Sequence, residues 1–345
     1  MRICKRNRQG KVLLAAGMAA VMMLSGCTAK TPETAVSETT AGAAAETAET
    51  AKNGEKQENA AETALVTFTD DLGYEIQIEP TTQAAVISGS FAECWLLAGG
   101  ELQAVTEDVY SERQIEIPET AKDLGALKSP NLEVLLESGA EFAILSANIE
   151  EHLALRDTLE KAGITTAYFS VETFEDYLRM LKICTDITGR EDLYQTNGVN
   201  IREEIDAQIA RADGSSPTVL FLRAFSTGVR AKGSDNMTGQ MLKDLGCVNI
   251  ADSDETLLDD LSMESIIAQD PDYIFVTTMG SSEEAAMKSV EDLLLSNPAW
   301  KDLTAVKEGR YHVLPKALFH NKPNNRWGES YTMLADILYG QNQGK

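Results

Sequence analysis

The sequence predicts an α/β fold of two lobes with mostly parallel sheets, joined by a long helical crossing, and three observations carry that reading. The first is a segment written twice. Asn131-Leu132-Glu133-Val134-Leu135-Leu136, followed by Ala140-Glu141-Phe142-Ala143-Ile144-Leu145, returns as Ser262-Met263-Glu264-Ser265-Ile266-Ile267, followed by Pro271-Asp272-Tyr273-Ile274-Phe275-Val276. A constant offset of 131 residues, Glu133 to Glu264, holds throughout. Each copy reads as a short amphipathic helix, a turn and a wholly apolar strand, the pattern of a parallel sheet covered on both faces. The second observation is strand–helix alternation with short connections on either side of the middle of the chain. The third is the stretch from Phe174 to Arg211, which keeps helical periodicity, breaks only near Gly189-Arg190 and contains no strand.

Taken in order, Val66–Thr69 and Glu75–Ile78 alternate around Asp71-Leu72-Gly73, a hairpin signature. Ala84–Ile87 is a buried strand running through Ser88-Gly89-Ser90 into a helix from Phe91 to Leu97, and Leu102–Val105 is the next strand. The first repeat copy follows, then a helix from Glu151 to Ala162 and a strand over Thr165–Phe169. Beyond the helical stretch, Pro217–Leu222 opens the second lobe as a buried strand, and Ser234-Asp235-Asn236 caps a helix running to Leu245. The second copy, a helix through Glu283 to Leu295, a strand over Tyr311–Leu314 and a closing helix from Gly328 to Tyr339 complete the chain.

At the amino end, Arg2, Lys5, Arg6, Arg8 and Lys11 precede an apolar run from Val12 to Leu24. That order describes a signal segment, too short and alanine-rich for a permanent span. Leu24-Ser25-Gly26-Cys27 resembles the lipobox of bacterial lipoproteins, which implies acylation of Cys27; at about 0.8 kcal/mol per buried methylene, two or more chains anchor stably. Residues Thr28 to Ala64 hold almost only small and polar side chains and no aromatics, so they cannot offset their ordering entropy and are expected to form a tether. The domain reading is a signal peptide over 1–27, a disordered tether over 28–64, an N-terminal lobe over 65–172, a helical linker over 173–213 and a C-terminal lobe over 214–345.

The formal net charge is −24. An excess of acid on that scale argues against nucleic acid or an anionic lipid surface as partner, while local bases still allow an anionic ligand. Of five cysteines, Cys94, Cys184 and Cys247 lie beyond the leader. Their odd number and apolar settings suit buried small hydrophobes, and no Cys-x-x-Cys is present. In both repeat copies a glutamate occupies the first helical turn, where a negative charge suits the dipole and the side chain can point outward. Two similar lobes with one acidic knob each suit a two-fold partner.

On these and further motifs the chain resembles the substrate-binding proteins of bacterial ABC importers for iron–siderophores, haem and vitamin B12. Gly125 with Asn131-Leu132-Glu133, Leu245-Gly246-Cys247-Val248-Asn249-Ile250, Ser262-Met263-Glu264 with Asp270-Pro271-Asp272, Pro298-Ala299-Trp300, Ala305-Val306-Lys307 and Gly309-Arg310-Tyr311 carry the resemblance from Val66 to Gly340. Each motif is weak alone; their order and spacing are specific. Cys247 departs from the family, where a second glycine is usual. The resemblance implies two Rossmann-like lobes joined by one long helix, a ligand in the cleft between them, and docking of Glu133 and Glu264 on arginines of a dimeric ABC permease. It implies a monomer on the extracellular face of the cytoplasmic membrane, held there through its lipid anchor alone.

Ligands of open α/β lobes sit beyond the carboxyl ends of the strands. That selects Ser88, Ser90 and Phe91; Tyr110; Arg223, Ala224 and Phe225; Arg230, Lys232 and Met237; Met279 and Gly280; and His320, Arg326 and Trp327. Arg223, Arg230, Lys232, Lys316, Lys322 and Arg326 are basic residues within an acidic lobe, and positioned guanidiniums suit carboxylates or the negative oxygens of a ferric chelate. Each is equally an ordinary solvated charge, except Arg223, which ends an apolar strand and so calls for a partner. Haem is the rival ligand and would take His320, Tyr110, Met237 or Met279 as axial group. Vitamin B12 needs aromatic walls, for which Phe91, Phe225 and Trp327 stand. No resident cofactor and no direct metal ligation are expected otherwise: zinc or manganese sites of similar two-lobe proteins resemble three histidines plus a carboxylate, and of the only three histidines, His152, His312 and His320, the first falls on a predicted peripheral helix. No Gly-x-Ser-x-Gly, Walker loop, His-Glu-x-x-His or Gly-x-Gly-x-x-Gly is present, so a binding protein is expected rather than an enzyme or a structural adhesin.

Overall fold

The computed structural model describes residues 64–113 and 115–340. The signal segment, Cys27 and nearly all of the expected tether lie outside the described residues. A hairpin opens the described chain: β1 (Val66–Thr69) pairs antiparallel with β2 (Glu75–Ile78). The N-terminal sheet holds β3 (Gln83–Val86), β4 (Glu101–Val105), β5 (Lys122–Asp123), β6 (Phe142–Ser146) and β7 (Thr165–Phe169), all parallel, in the order β5-β4-β3-β6-β7. Strand β6 is buried at all five positions, as a strand covered by helices on both faces must be.

The second sheet holds β8 (Thr218–Phe225), β9 (Gly228–Ala231), β10 (Val248–Asn249), β11 (Tyr273–Thr278) and β12 (Tyr311–Leu314). Its parallel order is β10-β8-β11-β12, and β9 folds back antiparallel on the carboxyl half of β8. The sequence reading, which ended the strand at Leu222 and read no strand at Arg230, is corrected: β8 runs on to Phe225 and β9 takes in Arg230, while Lys232 lies just past its end. Val229 and Ala231 are buried and Arg230 is exposed, a two-residue alternation too short to stand out beside the glycine-containing turn.

Between the sheets the chain is helical, as expected, but folds into a hairpin. Phe174–Thr188 starts from a capping box between Thr173 and Asp176 and ends at Gly189 in the left-handed region, φ 71°. A second helical run then spans Glu191–Tyr194, a π turn over Gln195–Val199 and Asn200–Ile209. It returns along the first: Tyr177 Oη donates to the Asn197 carbonyl at 2.9 Å, and Arg202 pairs with Glu175. The crossing therefore belongs to the second run, which lies against the closing helix Trp327–Tyr339, with Gly328 facing Glu204 and Arg211 bound to Asp336 at 2.7 Å.

The two repeat copies fold alike. Asn131 caps Leu132–Glu137, its side chain accepting from the Glu133 and Val134 amides, and Ser262 caps Met263–Gln269 by accepting from Ser265. Glu133 and Glu264 are both exposed on first turns. Cys94, Cys184 and Cys247 are buried free thiols, as expected. No helix among the described residues is long and apolar enough to cross a membrane.

Candidate ligand cleft

The carboxyl ends of both sheets face each other across residues 316–326, the connection from β12 to the closing helix. From the N-terminal side comes Ser88-Gly89-Ser90 after β3. Gly89 is required there: a Cβ would lie 2.9 Å from the Val109 backbone, and its amide donates to Asp108 Oδ2 at 2.7 Å. The same side supplies Glu93, the short helix Asp108–Glu112 after β4, Arg113, and Glu172 after β7.

The C-terminal side is basic. Arg223 and Arg230 are register partners across β8 and β9, so their side chains leave the same face. Like charges placed directly opposite destabilise a sheet unless an anion lies between them. Arg223 is half-buried, its Nε has no hydrogen-bond partner, and burial holds its pKa below the usual range against the pull of Glu172 and Asp235. The expected partner of Arg223 is therefore missing among the described residues. Next to it, His320 Nδ1 is also buried and unpartnered, and burial with help from Arg223 and Lys316 pushes the imidazole down to about 4.

Two lysines complete the cluster and bridge the walls. Lys316 Nζ donates to both carboxylate oxygens of Glu112, at 2.8 and 2.7 Å, and to the Gly280 carbonyl at 2.8 Å. Lys322 Nζ lies 3.0 Å from Glu172. Burial would raise the Glu112 carboxyl, but hydrogen bonds from Lys316 and Asn321 bring it below its ordinary value. Arg113 donates to Glu93 at 2.7 Å and to the Lys322 carbonyl at 2.6 Å. Asn324, at φ 52°, donates to the Ser90 carbonyl at 2.9 Å and to Glu93 at 2.6 Å.

The remaining sequence candidates divide. Ser90, Tyr110, Phe225 and Met279 sit at the strand ends, with Tyr110 53% and Met279 44% exposed. Lys232 shares the Arg230 face by alternation but lies deeper, its amide bonded to the Phe221 carbonyl at 2.9 Å. Arg326 is exposed and held by Glu329 at 2.8 Å. Phe91, Met237 and Trp327 are corrections: they are core residues, 6%, 3% and 1% exposed, and not cleft walls. Phe91 meets Phe169 edge-on and Trp327 meets Phe174, because apolar side chains at helix starts turn inward where a core is available. His152 lies on a helix as expected, the short Glu150–Leu153, but its side chain is buried, accepting from the Ser146 amide at Nδ1 and meeting the Leu127 carbonyl at Nε2.

Glu93, Glu112, Arg113, Glu172, Asn321 and Asn324 escaped sequence reasoning. The Glu112-Arg113 pair and the asparagine-rich Asn321–Asn325 segment were the available signals, and both read like ordinary solvent-facing polar side chains. A separate groove of about 960 Å³ lies at the opposite, amino ends of the N-terminal strands, around Pro80, Gly139 and Gly163, and gathers no cations. Among the described residues no group of three or more His, Cys, Asp or Glu side chains is arranged to hold a metal ion.

The family described as periplasmic binding protein matches residues 85–318. The Fe(3+)-citrate-binding protein YfmC of Bacillus subtilis is 26% identical over 195 residues, which cover 55% of this chain. The match spans 58% of that relative's length. Among solved structures, Staphylococcus aureus SirA complexed with staphyloferrin B superposes with TM-score 0.61 at 20% identity, covering 80% of this chain and 98% of SirA. Staphylococcus aureus IsdE complexed with heme gives 0.62 at 14% identity, covering 75% and 99%. At such identities these two structures share the fold.

Proposed function

Since the chain belongs to the periplasmic binding protein family, we propose that it is the solute receptor of an ABC importer and captures a ferric chelate bearing anionic oxygens, a ferric siderophore or citrate-type complex. The family and the relatives are binding proteins, not enzymes. The observation that carries the ligand reading is the unpartnered pair Arg223 Nε and His320 Nδ1, flanked by Arg230, Lys316 and Lys322 at the carboxyl ends of the sheet. In a chain of net charge −24, a cluster of five basic side chains at one strand edge is built against the overall field. Arg223 and Arg230 would grip carboxylate oxygens, and Ser90, Tyr110, Phe225 and Met279 would border the chelate. The lipid on Cys27 and the tether would hold the receptor at the outer membrane face, and Glu133 with Glu264 would seat it on the permease dimer.

Haem is the second reading, and His320 favours it because its ring nitrogen is unpartnered and near-neutral in charge state. Of the other axial candidates, Tyr110 and Met279 are exposed and Met237 is 3% exposed. Cobalamin loses support, since two of its three aromatic walls are core. Titration of the purified protein with ferric citrate, ferric hydroxamate and catecholate siderophores, haem and cyanocobalamin tests the reading. Saturation at sub-micromolar ferric chelate supports it; a haem absorbance shift with silence from the chelates replaces it with the haem reading.

A further inference from the structure

Two of the cleft's cations are already in use. Glu112 occupies Lys316 through both carboxylate oxygens, at 2.8 and 2.7 Å, and Glu172 occupies Lys322 at 3.0 Å. Both carboxylates come from the N-terminal wall and both amines from the C-terminal wall. Near these pairs stand two groups without a hydrogen-bond partner among the described residues, Arg223 Nε and His320 Nδ1. We propose that Glu112 and Glu172 are built-in competitors for the ligand's anionic groups and so determine which ligand charge the cleft accepts; the inference rests on the anionic-ligand reading above.

The exchange is chemically balanced. A first ligand carboxylate satisfies the unpartnered arginine and histidine nitrogens. A second trades places with Glu112 or Glu172, so each lysine keeps a carboxylate throughout. The displaced glutamates have somewhere to go: their side chains are 32% and 47% exposed at the cleft rim. The lysines are more enclosed, with side chains 20% and 23% exposed, and burial lowers the pKa of Lys322 below its usual range. A neutral chelate that pushed the glutamates aside would leave two half-buried ammonium groups without a counter-charge, which is unfavourable. The remaining bridges, Arg113 to the Lys322 carbonyl and Asn324 to the Ser90 carbonyl, involve no ligand-type charge and persist through the exchange.

The test is calorimetric titration of the full chain with citrate and with ferric citrate, comparing wild type with Glu112→Gln, Glu172→Gln and the double variant. Glu116→Gln serves as control, removing the same charge from an exposed neighbour that makes no ion pair among the described residues. Each cleft variant is expected to bind about fivefold tighter and the double about 25-fold, with the control near wild type. Tighter citrate binding with no further gain from iron upholds the competition and sinks the iron reading alone. Unchanged or weaker binding in the cleft variants, equal tightening in the control, or no binding of either probe to any variant overturns the competition. A ligand-free measurement stands beside it: acylation of Lys316 and Lys322 by an N-hydroxysuccinimide ester, mapped by mass spectrometry, is expected to accelerate several-fold in the cleft variants. Equal rates in wild type and variants overturn the proposal as well.

Discussion

On their outer faces the two lobes repeat each other, and at their cleft edges they are opposites. Burial along residues 132–138 runs half-buried, exposed, half-buried, buried, exposed, exposed, half-buried, and residues 263–269 give the same order. Glu133 and Glu264 hold the same place in it, each on a first turn capped by a polar side chain. At the cleft the N-terminal edge presents Glu93, Glu112 and Glu172, while the C-terminal edge presents Arg223, Arg230, Lys316, His320 and Lys322. A two-fold partner requires likeness between lobes. A small ligand does not, and opposite edges let the cleft bind itself.

Breaking the likeness should have the largest effect. Reversing Glu133 and Glu264 together to arginine is expected to reduce iron uptake by cells at least ~100-fold while ligand affinity stays put, because two exposed charges in register supply orientation and steering rather than ligand contacts. Either single reversal should leave an intermediate rate. Loss of ligand affinity in the double variant would refute the docking assignment.

Breaking the opposition at its centre comes next. Arg223→Met should weaken ferric chelate binding by about 100-fold, the scale of losing a buried charged contact. The same change should raise unfolding stability by about 1 kcal/mol in the ligand-free protein, because it removes a half-buried charge whose Nε lacks a partner. A stability loss would mean that Arg223 is a structural residue. Calorimetry and urea unfolding separate the two outcomes.

His320 sharpens the comparison further. Its folded pKa of about 4 lies below the ordinary 6.5, so the unfolded chain binds the extra proton between those values. The stabilisation from this site is complete above pH 6.5 and is lost as the pH falls toward 4. Urea midpoints of wild type should therefore drop over that window more than those of His320→Asn. An anion seated at Nδ1 would raise the pKa, so ligand binding at about pH 5.5 should take up a proton. Calorimetry in two buffers of different ionisation heat reads that uptake, and its absence would place the anion away from His320.

Most of the scaffold was legible because it rests on local patterns. Thr165–Phe169 and Tyr311–Leu314 are strands at the expected bounds, and the Asp71-Leu72-Gly73 hairpin, both repeat helices and the cap at Asn236 form as read. The cleft was legible only on its basic side. Arg223 lies near the end of β8 and His320 follows β12, but Glu112 and Glu172, which pair with Lys316 and Lys322, come from positions more than a hundred residues away from those lysines in an already acidic sequence, where no periodicity marks them. Phe91 and Trp327 show the converse limit: a strand-end position says which residues are near the cleft, and only packing says which way they turn.

The smallest effect concerns motion. The crossing run from Glu191 to Ile209 is continuous through its π turn and lies against the closing helix, tied by Arg211 to Asp336 at 2.7 Å. Bending it would separate packed side chains along its length, unlike a hinge in a loop. The cleft walls are also already joined through residues 316–326, by Arg113 to the Lys322 carbonyl at 2.6 Å and Asn324 to the Ser90 carbonyl at 2.9 Å. A ligand would therefore have little distance to close, and the proposed exchange of Glu112 and Glu172 would loosen the walls as the chelate drew them together. Small-angle scattering should show the radius of gyration changing by under about 1 Å on saturation, the scale of pre-organised partners. A contraction of several ångströms would mean that the crossing yields, and that the bridges described here belong to one of two well-separated states.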